Sequence, residues 1–275
     1  MWSASGPNWR PEPSGPDTSD NVRSAGGRVA RQWELLSLPL LLILWQGAAM
    51  LVAHRLFPSP LDVGAELWAL VSTGPLLADL AKTLWRAFAA FGLAMVLGTA
   101  LGVALGRQPW LDQLLSAWLV VGLNLPAIVV AILLYIWLGL TEWALIAAVV
   151  VNKMPLVAVT IREGVRSFSA DYAELGRVLR LDFRKRLTKL YWPQLLPFVL
   201  TAARTGLSLI WKIVLVFEVL GSDGGVGYRI GVLFQFFDVA GILAYTSAFI
   251  ACVLAFEYGV LRPWEGRALL WRRRG

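Results

Sequence analysis

The chain has 275 residues, of which 57% are hydrophobic and only 16% charged, with a net charge of +7. Soluble domains average about 45–50% apolar and about 25% charged residues. A mean hydropathy of +0.63 therefore excludes a water-soluble globular fold for most of this chain. The single cysteine, Cys252, excludes an intrachain disulfide, and the single histidine, His54, leaves no His/Cys metal centre. The basic residues cluster between apolar runs rather than on one soluble face, which argues against a nucleic-acid partner.

Residues 1–33 are polar and rich in Pro, Gly and Ser, and they read as a disordered tail that cannot bury enough apolar area to offset chain entropy. The apolar run from Leu35 to Ala53 exceeds a signal-peptide core and is followed by further spans, so it reads as an uncleaved first helix. From Phe57 to Ala81, Pro58-Ser59-Pro60 precedes Val63, Leu67, Leu70 and Val71 at helical spacing, which predicts a short amphipathic helix at the outer interface. Later apolar spans are predicted at 84–105, 113–138, 142–161, 198–220 and 239–261, each long enough to cross about 30 Å of hydrocarbon. Lipid permits helices or closed barrels, and runs this continuously apolar are helical. The expectation is an all-α polytopic membrane protein of about six transmembrane helices. The first helix and outer segment occupy 34–83, a core spans 84–262, and a basic tail covers 263–275.

Positive charge sets the expected orientation. With the N-terminus inside, 18 Lys and Arg residues fall on the cytoplasmic side, and the opposite face keeps only Arg55, Lys82, Arg86 and Arg229. That bias places both termini in the cytoplasm. Residues 221–238 carry Gly221, Gly224, Gly225 and Gly227, which predicts a sharply turning outer loop.

The cytoplasmic segment 162–197, between the fourth and fifth spans, is far longer than a reversal of direction requires, which predicts a docking element. From Asp171 it reads DYAELGRVLRLDFRKRLTKLYWPQLLPF. Ala173 to Leu181 and Arg184 to Tyr191 are predicted as two short helices, with Pro193 and Pro197 marking the start of the fifth span. This segment resembles the EAA loop of ABC importer permeases, a Glu-Ala-Ala with a downstream glycine and Leu-Pro. Glu174 stands at the glutamate, Leu175 and Gly176 at the alanines, Arg180 at the glycine, and Pro193 and Pro197 at the prolines. Leu175 and Arg180 depart from the pattern.

Other segments are similar to the nitrate/sulfonate/taurine group of that family. They include Leu56 to Pro60, Leu84-Trp85-Arg86, Asn124-Leu125-Pro126, Gly225-Val226-Gly227-Tyr228 and Arg262-Pro263-Trp264. The resemblance implies a MetI-like permease core in a bacterial inner membrane and a transport subunit without cofactor or catalytic machinery. It also implies three partners: a second permease copy, a cytosolic ABC ATPase dimer and a periplasmic or lipid-anchored solute-binding protein. The solute implied is small and anionic, of nitrate, sulfonate or taurine type. The chain has no phosphate-binding G-x-x-x-x-G-K-[ST] loop, so ATP hydrolysis falls to a partner.

Charges inside spans cost about 2.5–3.5 kcal/mol at a helix centre, which singles out Lys212 and Glu218 in the fifth span. Each is a candidate for the translocation path or gate, with Trp211 and with Asn124 beside Pro126. The alternatives are a helix partner for Lys212, an interfacial position for Glu218 and a helix–helix hydrogen bond for Asn124. Arg204 and Lys153 are expected to snorkel toward the cytoplasmic ends of their spans. Gly92, Gly98, Gly102 and Gly106 are expected to let helices approach. The competing reading, a stand-alone secondary transporter, predicts internal repeats, and none is visible.

Overall fold

The computed structural model describes residues 36–169, 174, 178–261 and 263. The predicted N-terminal tail and nearly all of the basic C-terminal tail lie outside them. The chain divides into two units, Met1–Leu61 and Asp62–Gly275. In the first, the apolar helix α1 (Leu36–Val52) is shorter than the other spans, and Trp45 Nε1 donates to the Pro58 carbonyl at 3.1 Å, folding the following segment back.

The second unit contains nearly all of α2 (Pro60–Ser72), then α3 (Leu76–Arg107), α4 (Pro109–Asn124), α5 (Ala127–Leu138) and α6 (Glu142–Arg166). After the loop come α7 (Arg184–Gly221), α8 (Val226–Gln235) and α9 (Val239–Phe256). All described regular structure is helical, as lipid requires of open chains. Among the described residues, four helices are long and apolar enough to cross a membrane: α3, α6, α7 and α9 with the turn that follows it.

The predicted span 113–138 is not one helix. It is the pair α4 and α5, bent by 98° at Leu125-Pro126. Pro126 has no amide hydrogen to continue the ladder, and its ring drives Leu125 to an extended conformation (φ −65°, ψ 125°). The predicted start at residue 84 is also late, because α3 begins at Leu76 and its 32 residues reach about 48 Å. Within the predicted outer loop 221–238, residues 226–235 form α8.

The helix α6 lies at the centre, packed against α3, α4, α5 and α7. Its approach to α3 depends on a stripe of glycines. A Cβ at Gly98 would lie 2.6 Å from Val157 Cβ, one at Gly102 2.6 Å from the Ala158 carbonyl, and one at Gly106 2.6 Å from Val165 Cβ. Spaced four residues apart, the three glycines form one face and allow backbone-close packing without a hydrophobic driving force between helices. Gly92, expected in the same role, faces open space. At this contact Val157, Ala158 and Ile161 are fully buried.

Candidate functional site

One face of α7 is committed to the core through Ala202, Ala203, Ile210, Val214 and Phe217. Its exposed face carries Thr201, Arg204, Thr205, Ser208 and Lys212, and then Val216, Val219 and Leu220. Apart from Leu209, the stripe is polar from Thr201 to Lys212 and apolar from Val216 to Leu220. Between α7 and α9 runs a groove of about 490 Å³, lined by Arg204, Ser208, Trp211, Lys212, Phe249 and Glu257 among others. The Trp211 ring meets Phe88 edge-on at 5.4 Å and packs against Phe249 and Phe256 at 6.3 and 6.0 Å, which fixes it as an aromatic wall. Lys212 makes no hydrogen bond or ion pair among the described residues, nine residues before the helix end at Gly221 and so about 14 Å from it.

The groove brings Trp211 and Lys212 together but does not include the other two expected path residues. Asn124 is exposed at the end of α4 and donates to the Val120 carbonyl of its own helix at 2.8 Å. Glu218 is fully buried at the far end of α7, where it pairs with Arg86 of α3 at 2.9 Å; the two are 0% and 1% exposed.

That pair anchors a latch. Glu218 also accepts from the Gly227 amide at 2.9 Å and lies 2.9–3.0 Å from the Thr83 hydroxyl, which in turn accepts from the Val226 amide at 2.8 Å. Arg86 Nη1 lies 2.7 Å from the Gly224 carbonyl, and Nη2 lies 2.9 Å from Asp223. Two turns before Arg86 on α3, Asp79 accepts from the Gly225 amide, Arg229 and Tyr245 at 2.9–3.1 Å. A Cβ at Gly225, whose φ is +100°, would strike the Glu218 carboxylate, and one at Gly227 would strike the Leu215 carbonyl. The glycine-rich turn is therefore sewn to α3 at backbone distance. Outside the spans, the Lys82 ammonium, 2.8 Å away, holds the Asp223 carboxyl below its usual range.

Sequence reasoning noticed Glu218 and missed its partner 132 residues away. The signal was there: a charge inside lipid needs a counter-charge, and Arg86 stands in the apolar run of another span. Lys153 does not snorkel. It sits at the middle of α6, 7% exposed, without a hydrogen bond or ion pair among the described residues.

At the opposite end of the bundle lies the expected docking loop. Leu175 and Gly176 fall outside the described residues; Glu174 is helical and exposed. Arg180 adopts a left-handed conformation, φ +44°. The second predicted loop helix is not separate from the fifth span. It runs into α7 through a widened π turn, Leu187–Tyr191, which places Pro193 in the first turn of the regular helix, where its missing amide costs little. Pro197 lies inside α7.

Residues 94–258 match the profile of the family described as the binding-protein-dependent transport system inner membrane component. The chain belongs to that family of ABC importer permeases. A protein of Bacillus subtilis named for aliphatic sulfonates transport is 28% identical to this permease, over 92% of this chain and 93% of its own. A riboflavin transport system permease of Chloroflexus aurantiacus is 30% identical over 75% and 80%, and the taurine transport system permease of Escherichia coli 25% over 84% and 88%. An inward-facing structure of the MetNI methionine ABC transporter superposes with a TM-score of 0.58 at 18% identity, covering 70% of this permease and 96% of that chain. The fold is thus of the MetI type, and the protein is a multi-pass membrane permease.

Proposed function

We propose that this permease forms, with a second copy of itself, the path of an ATP-driven importer for a small anion of the sulfonate, taurine or nitrate type. The observation that carries the reading is Lys212 on the exposed face of α7. A helix that crosses lipid cannot leave Lys212 in hydrocarbon, because an unpaired ammonium near mid-bilayer costs several kcal/mol, about 2.5–3.5 on insertion scales. The stripe therefore faces water or protein. Lys212 supplies positive charge along it, and Val216, Val219 and Leu220 supply an apolar seal at the latch end.

The positive-inside bias assigns the Arg107 and Arg180 end to the cytoplasm, so the vestibule opens inward and the seal faces outward. The loop around Glu174 and Arg180, with Pro193 and Pro197 at the base of α7, then docks a cytosolic ATPase that performs the hydrolysis. A solute-binding protein delivers the anion to the latch face. The relatives named for sulfonates and taurine support the choice of an anion.

The test is uptake of labelled taurine or an alkanesulfonate by the reconstituted complex carrying Lys212→Met or Lys212→Arg. Loss of a charge-assisted contact predicts about a tenfold to hundredfold drop for the methionine variant, while the arginine variant retains uptake. Undiminished uptake with methionine would remove Lys212 from the path.

A further inference from the structure

At the end of the bundle opposite the latch lies a second pocket, of about 390 Å³, lined by Gly106, Arg107, Val165, Phe168, Arg186 and Tyr191. Arg107 is the last residue of α3, and its guanidinium carbon sits 5.5 Å from the centre of the Tyr191 ring. Tyr191 in turn stacks on Phe168 at 5.6 Å and 24°. Arg186 donates Nε to the Leu181 carbonyl at 2.9 Å, which leaves both its Nη groups for another acceptor.

No carboxylate lines this pocket, and neither arginine has an ion pair among the described residues. The carboxylates of the adjoining helices are already engaged. Asp112 of α4 is held by Arg166 and Arg162 at 2.6 and 3.0 Å, and Glu163 of α6 by Arg162 at 2.9 Å. Among the described residues, two guanidinium groups thus converge on an aromatic-walled hollow, and no carboxylate, Asp182 one turn before Arg186 included, pairs with either.

The depth of the pocket points to what fills it. Arg107 ends an apolar span, and the exposed indoles of Trp110 and Trp192 stand within three residues of Arg107 and next to Tyr191. Indoles and basic side chains at the end of a span mark the headgroup layer, and basic pockets between helices on a cytoplasmic face take anionic lipid headgroups. We propose that this pocket binds the phosphate of an anionic phospholipid. The ligand would tie the end of α3 to the π turn at the base of α7, where the docking loop runs into that helix, so that membrane charge stiffens the coupling element. The lipid leaflet named rests on the cytoplasmic assignment proposed above; the binding itself does not.

Native mass spectrometry of the purified full-length permease tests the proposal with dioleoyl-phosphatidylglycerol, dioleoyl-phosphatidylcholine and inorganic phosphate as probes. The expected result is preferential retention of phosphatidylglycerol, reduced about twentyfold in Arg107→Gln/Arg186→Gln and largely kept in the Lys/Lys double variant. Arg55→Gln, which removes an arginine elsewhere, is expected to change nothing. Equal retention in the Gln/Gln variant overturns the site. Displacement of the lipid by millimolar inorganic phosphate overturns the lipid as its source. Should the double variant not fold, Arg107→Gln alone carries the comparison, because that side chain is exposed at a helix end. The measurement reads no transport, so its failure is distinct from a failure of the path assigned to Lys212.

Discussion

Arg86 and Glu218, 132 residues apart, meet at 2.9 Å in a fully buried ion pair that closes the glycine-rich turn of residues 222–225 onto α3. Desolvating two charges is costly, so such a pair adds little over an apolar contact of equal volume. Its value is specificity. Around it only glycine fits at 225 and 227, and the backbone amides of Val226 and Gly227 find their acceptors in Thr83 and Glu218.

Removing one partner strands the other in a dry site. Arg86→Met or Glu218→Leu alone is expected to destabilise the purified permease by about 3–5 kcal/mol, and the double variant Arg86→Met/Glu218→Leu by clearly less. Thermal unfolding in detergent, read for the two single variants and the double, gives the coupling. Additive losses would mean that the pair does not act as a unit.

Asp223 carries a pH dependence of known sign. Its carboxyl is held low by Lys82, so its contribution is fully present above the ordinary carboxylate range and disappears as pH falls through the lowered value. Asp223 is 78% exposed, so solvent screening keeps the effect small. Unfolding midpoints between neutral and acid pH should fall less steeply for Asp223→Asn than for the parent chain. Parallel curves would contradict the assignment.

The glycine face of α3 is expected to be intolerant. Gly102→Val places a branched side chain against the Ala158 carbonyl and Ile161, with a cost of about 1–3 kcal/mol or loss of folding, whereas Gly92→Val meets open space and should be near neutral. Expression level and thermal midpoint of the two variants make the comparison.

Arg180 holds a left-handed turn, at the position that the sequence resemblance aligns with the glycine of the EAA loop. A non-glycine residue there costs about 1–2 kcal/mol, partly offset by the smaller entropy loss relative to glycine. Arg180→Gly should therefore preserve solute-stimulated ATP hydrolysis in the reconstituted complex, while Arg180→Val, β-branched and resistant to positive φ, should reduce it. A dead glycine variant that still folds would show that the guanidinium, not the turn, matters.

The helical class and the approximate spans were legible in the chain because lipid makes them local properties. A backbone without water must satisfy its hydrogen bonds within its own segment, and about twenty apolar residues suffice to cross. The break at Leu125-Pro126 was half legible: proline announced a bend, but the hydropathy run concealed that the span divides. The partner of Glu218, the burial of Lys153, the packing of Gly98 but not Gly92, and the union of Lys212 with Trp211 in one groove were decided only in three dimensions. Each depends on which face of a helix meets which neighbour. In lipid the hydrophobic pattern that would reveal the inward face in water is absent, since both faces are apolar.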